Sequence, residues 1–125
     1  MITEIAQHIH NNSLASLATN LFIGHMPESP DNCVAILETG GLTPDIDLPT
    51  KKPTFQVLIR NTSYATGRAL MLSIRSLFHQ KYNTQLINNG TYFLYINVQG
   101  EGGHIGRDAI GRDEFSINFV CEIRT

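Results

Sequence analysis

Residues 115–124, Phe-Ser-Ile-Asn-Phe-Val-Cys-Glu-Ile-Arg, decide the fold. Phe115, Ile117, Phe119, Cys121 and Ile123 take every second position, and Ser116, Asn118, Glu122 and Arg124 alternate with them. A period of two belongs to a strand with one buried and one wetted face, because successive side chains point to opposite sides of a sheet. Upstream, residues 91–98 are apolar on both faces, so they belong in the middle of a sheet or under a partner. A glycine-rich stretch, QGEGGHIGRDAIGRD, reads as a loop between the two. A β-hairpin across residues 91–124 follows.

Further upstream, Phe55, Val57 and Ile59 alternate with Thr54, Gln56 and Arg60, which is another strand. Asn61-Thr62-Ser63 then reads as a turn and helix cap. The helix it opens is expected from Tyr64 to about Tyr82, with Leu70, Ile74, Leu77 and Phe78 as its apolar stripe. Arg68, Leu72, Arg75 and His79 run down a different face. Asn88-Asn89-Gly90 marks a turn between two extended stretches. Residues 33–39, CVAILET, read as an interior strand that Gly40 and Gly41 stop. At the start, Ile2, Ile5, Ala6 and Ile9 form one helical face, ended by Asn11 and Asn12. Leu14, Leu17, Ala18 and Leu21 extend that pattern weakly, with serine and threonine between them. Pro27 and Pro30 force an irregular connection, and LTPDIDLPTKKP at 42–53, with three prolines, reads as a long exposed loop. The expected architecture is α+β in two layers: a single domain over residues 1–125, mainly antiparallel, flanked by one or two helices.

Composition excludes several classes. The chain has 125 residues, 42% hydrophobic and 16% charged, with a net charge of −2, which suits one compact core rather than a disordered segment. Its pI of about 6.2 gives no basic footprint for reading DNA sequence. No apolar stretch approaches the roughly 18 residues of a spanning helix. MITEIAQHIHNN lacks a basic start followed by an apolar run, so no secretory signal and synthesis in a cytoplasm are expected. Cys33 and Cys121 are too few for a metal framework and read as small buried apolar side chains, with a disulfide between adjacent strands left open.

Chemistry finds no support in the residue spacing. His8 and His10 point in different directions on a helix, and His25, His79 and His104 have no partner at ligand spacing, so no metal is expected. Neither a nucleophile elbow nor a cysteine paired with a nearby histidine occurs. The carboxylate pairs Asp45/Asp47 and Asp113/Glu114 read as solvated turns. Gly100 to Gly106 lacks the lysine and helix start of a phosphate cradle, so no cofactor is expected. That loop contains an echo, Gly106-Arg107-Asp108 and Gly111-Arg112-Asp113. Either each aspartate caps a local turn, or the arginines and aspartates serve a contact loop. The candidate interface residues are therefore Arg107, Asp108, Arg112 and Asp113, joined by Arg68, Leu72 and Arg75 on the helix. If the two turns make contacts, Arg107→Glu with Arg112→Glu is expected to block assembly and leave folding intact. With no catalytic, cofactor or metal residues, the residues describe a non-enzymatic domain with loops fit for contacts.

Residues 20–27, NLFIGHMP, and 30–41, PDNCVAILETGG, resemble a family of small long-tailed-phage proteins: the minor capsid, or tail terminator, proteins of the head-to-tail joining region. Residues 53–60, PTFQVLIR, then Ser63-Tyr64 opening the long helix, then 111–119, GRDEFSINF, fit in the same order. The resemblance spans about residues 14–124 and implies a compact tail-terminator fold. It also implies a virion protein that assembles with copies of itself into a ring, about six to a ring, on the head-proximal end of the tail tube. Such a ring stops tube growth and presents a surface to the head-tail connector protein. DNA passes through it transiently, attracted by phosphate charge alone, and no membrane is involved. Loops 42–53 and 100–112 are the candidates for ordering on assembly. Two alternatives stay open: a head-completion or neck adaptor, and a small ligand-binding enzyme using the glycine loop and His104.

Overall fold

The computed structural model describes residues 1–124; Thr125, the last residue of the expected domain, lies outside the described residues. The sheet is organised around β7 (Asp113–Arg124), in which Phe115, Ile117, Phe119 and Cys121 are buried and Asn118 is exposed. On one side β7 pairs antiparallel with β4 (Thr54–Asn61), matching Phe119 to Phe55 and Ile117 to Val57. On the other it pairs antiparallel with β6 (Tyr92–Arg107), confirming the hairpin. Beyond β4 lies β2 (Cys33–Glu38), antiparallel to it, and then the short edge strand β1 (Leu21–Ile23), which is parallel to β2. β5 (Lys81–Gln85) closes the opposite edge, giving the order β1-β2-β4-β7-β6-β5. The fold is α+β, as the alternating strands and flanking helices imply.

One face of this sheet holds the core. Val34, Ile36, Phe55, Val57, Ile59, Ile96, Phe115, Ile117 and Phe119 are buried against Ile5 and Ile9 of α1 (Ile2–Asn11) and Met71, Ile74 and Phe78 of α2 (Tyr64–Phe78). At its centre Phe55 stacks on Phe119 with ring centroids 4.9 Å apart, and Phe78 meets Phe119 edge-on at 5.6 Å. The opposite face carries polar residues in register, such as Gln56, whose Nε2 donates to Ser116 Oγ at 2.7 Å.

Several details depart from the expectations. α2 starts at the expected cap, where Ser63 Oγ accepts the Thr66 amide, but it stops at Phe78 rather than near Tyr82. His79 turns extended and Gln80 takes a φ of 54°, releasing Lys81 into the edge strand β5. The buried stripe of α2 is Gly67-Met71-Ile74-Phe78, with Leu70 and Leu77 only partly covered. Residues 13–20 form no helix, because Ser13 and Ala18 adopt φ of 60° and 65° and the chain turns there. Within 42–53, Thr50–Lys51 form β3, which pairs with β7 at Ile123 and Arg124, and Leu42 bridges to Lys52; 43–49 stays loop. The glycine-rich stretch is mostly strand as well. β6 continues to Arg107 by shifting register between Gln99 and Gly103 and again between His104 and Gly106, so the turn shrinks to 108–112. Bulges of this kind suit glycines at positive φ, here Gly100 and Gly102. Cys33 and Cys121 are free and buried on strands that β4 separates, and burial pushes the Cys121 thiol up to about 12.

Gly67 marks the closest approach of helix to sheet. A Cβ there would lie 2.5 Å from Cε2 of the buried Phe115 ring. Gly67→Ala gains about 1 kcal/mol of helix propensity, but overpacking at a buried ring costs more. A net loss of about 1–2 kcal/mol is expected in urea unfolding. A more stable Gly67→Ala would show that the ring yields.

Candidate assembly surfaces

The echoed Gly-Arg-Asp triplets sit together at the β6–β7 turn, yet they do opposite things. Asp108 caps the turn, as one of the two readings held: its Oδ1 accepts the amides of Ile110 and Arg112 at 3.2 and 2.9 Å. Its Oδ2 accepts Arg112 Nε at 2.6 Å. The Arg112 side chain is only 6% exposed. Its Nη1 donates to the Glu28 carbonyl at 2.6 Å and reaches Asp31 Oδ1 at 3.3 Å. Burial pushes the Asp108 carboxyl up, but the hydrogen bonds from Arg112 outweigh it and hold the group below the usual carboxylate range. Burial likewise opposes the Arg112 charge, and Asp108 more than restores it.

Asp113 is buried too, its side chain 3% exposed, with His104 Nε2 at 3.0 Å and Arg107 Nε at 3.1 Å. The solvated-turn reading of Asp113/Glu114 is thereby corrected: the pair begins β7, and its first member faces inward to two nitrogen donors. The His104 side chain is 31% exposed, with its ring 5.1 Å from Tyr64 and 5.2 Å from Phe115. Beside this cluster Arg60, also buried, donates to the carbonyls of Pro30, Asp31 and Glu28 at 2.6, 3.1 and 3.2 Å. Two buried arginines therefore bind the 28–31 segment to the sheet. Sequence reading missed this clamp, since Arg60 lies in a strand pattern and Glu28 in a loop. The expectation that Arg107→Glu with Arg112→Glu spares folding is corrected as well, because Arg112 is internal. Arg107, with its side chain 68% exposed, remains on the surface, flanked by exposed Ile105 and Ile110.

A second surface is the outer face of α2. Arg68 is exposed and Leu72 is 41% exposed. Arg75 is half-buried, with Nη2 3.7 Å from Glu101. Arg75 Nε and His79 Nδ1 are shielded and have no hydrogen-bond partner among the described residues. A third surface is the 43–49 loop, where Ile46 is 99% exposed, Leu48 is exposed, and Asp45 pairs with Lys52 at 3.1 Å. Here the apolar residues set between Asp45, Asp47 and Pro49 were the legible signal. Thus Arg107 and Asp108 share the turn with Arg112 and Asp113, while Arg68, Leu72 and Arg75 form a separate patch. Among the described residues no group of three or more histidines, cysteines or acids gathers at metal-binding spacing, and no helix is long and apolar enough to cross a membrane.

No curated protein matches the chain in sequence. Solved structures share its shape at low identity. One is a chain of the virion of a native gene transfer agent particle, 10% identical, with a TM-score of 0.74 over 100% of this chain and 95% of that one. Another is also 10% identical, with a TM-score of 0.59 over 98% of this chain and 89% of that one. Both likenesses concern the fold. In sequence, residues 8–125 match the family model described as bacteriophage tail terminator protein. The match spans nearly all of the chain, which therefore belongs to the bacteriophage tail terminator family.

Proposed function

We propose that this phage tail structural protein caps the head-proximal end of the tail tube as a ring of about six copies and joins it to the head-tail connector. The observation that carries this reading is the family match over residues 8–125. The distribution of exposed apolar side chains supports it. A closed ring of identical subunits uses a head-to-tail contact, so each copy needs two different complementary patches. A cap needs further surface for the tube and for the connector. The 43–49 loop, the α2 face and the β6–β7 turn are separate patches that meet this requirement. In this reading the chain acts as a single domain without catalysis, is made in the host cytoplasm, and ends in the neck of the virion. DNA crosses the ring without being read, in keeping with a net charge of −2.

Light scattering after size exclusion, with negative-stain images of the same peak, tests this. The expected result is an annular particle of about six subunits, or a monomer that forms such a cap when purified tail tubes are added. A monomer that leaves tube ends bare, or that binds the portal side alone, overturns it.

A further inference from the structure

We infer that the 43–49 loop of one copy docks on the outer face of α2 of the next, with Ile46 packed on Leu72 and Asp47 paired with Arg68. The inference rests on the ring reading and names the contact that builds it. Helix α2 contains no aspartate or glutamate, and Arg68 has neither an ion pair nor a hydrogen bond among the described residues. One turn along, Leu72 is exposed beside it, and the partly covered Arg75 and His79 continue the same side of the helix. The loop offers the complement: Ile46 stands 99% exposed, and the adjacent Asp47 is exposed with no ion pair among the described residues. Opposite charges flanking matched apolar groups fix orientation and register at an interface.

The topology argues that the partner is a second copy. The loop leaves β2 after Glu38, which pairs with Phe55 at the start of β4. Arg68 lies one turn into α2, which begins just past Asn61 at the far end of β4. Six strand steps separate the two ends, roughly 20 Å, and the base of the loop is held by the Leu42–Lys52 bridge and by β3 on β7. The loop and the first turns of α2, which carry Arg68, thus start from opposite ends of β4. Because the two patches differ, their contact is head-to-tail, the kind of contact that a ring of identical copies repeats when the rotation between neighbours closes.

Two experiments test it in preparations where the wild type forms rings, alone or on tail tubes. Ile46→Cys and Leu72→Cys are made separately. After oxidation, a covalent dimer is expected only when the two are mixed, since the native Cys33 and Cys121 are buried. Asp47→Arg and Arg68→Asp are each expected to cut the ring fraction about tenfold, and the double swap to recover most of it. Melting temperatures, measured at a dilution where the wild type is monomeric, should stay near wild type, because both side chains are exposed. No dimer in the mixture, or a double swap as defective as the singles with melting unchanged, overturns the contact and leaves the ring reading standing. A wild type that forms no ring under either condition removes both, and that failure is recognisable because it precedes any variant.

Discussion

Arg112→Ala is expected to melt about 10 °C below the wild-type protein, a loss of about 2–4 kcal/mol. Truncation leaves the Glu28 carbonyl and the Asp108 carboxylate without their nearest donor, inside a site where Arg112 itself is 6% exposed. Removing one partner of a buried charged pair costs more than the pair is worth, because the remaining group stays desolvated. The cost falls short of the upper limit because Asp31 is largely exposed and keeps its water. Arg107→Ala is the milder comparison: its side chain is 68% exposed, and the buried Asp113 that it leaves keeps His104 Nε2 at 3.0 Å on the same oxygen, so a smaller loss is expected. Equal effects at the two arginines would contradict the clamp. The pH dependence carries the same signature. A carboxylate whose folded pKa is depressed adds stability above its unfolded value, near pH ~4, and that stability is lost as pH falls through the lowered folded value. Asp108 is such a group, with Arg112 the cause that outweighs its desolvation. Asp108→Asn should therefore be less stable at neutral pH and should lose less on acidification than the wild type.

The central strands were legible because their physics is local. In β7 the alternation of Phe115, Ile117 and Phe119 with Ser116 and Asn118 states which face is buried, and the register against Phe55 and Val57 follows from matching those faces. The Ser63 cap was legible for the same reason: one hydroxyl three residues before one amide. The limits of the edge elements were not, although an extended stretch before Asn88 was. Lys81–Gln85 has few apolar residues and reads as the tail of a helix until Gln80 turns the chain to positive φ. Thr50–Lys51 is a strand only because β7 runs past the end of β4 and offers it free partners. Of the candidate interface residues, the sequence placed the triplets in two turns of one loop, where the structure has a single turn, and it could not say which arginine points inward. That depends on Glu28 and Asp31, which lie more than eighty residues away in the chain. The glycines were misleading in a similar way. Gly100 to Gly106 look like a mobile loop in composition, yet the paired strand β7 leaves them little choice but to bulge.

Phe119→Ala is expected to cost about 3–5 kcal/mol, the largest effect of any single truncation considered. Phe119 is fully buried and touches the rings of both Phe55 and Phe78, so it joins the central strands to α2. Its loss leaves a void between sheet and helix that Phe55, fixed in β4, cannot fill without breaking register with β7. A domain whose whole stability lies in the range of about 5–15 kcal/mol survives that loss only narrowly. None of the proposed contact patches touches this ring, which gives the variant a second use. If the ring reading holds, only folded copies assemble, and assembly then stabilises them by mass action. The melting temperature of Phe119→Ala should therefore rise with protein concentration when Asp47 and Arg68 are intact. With Asp47→Arg added, it should stay flat. Thermal melts across about a hundredfold range of concentration measure this. A flat response in Phe119→Ala alone, in a preparation whose wild type forms rings, would mean that the weakened core has cost the subunit its assembling shape, so that packing around Phe119 also sets the geometry of the surface.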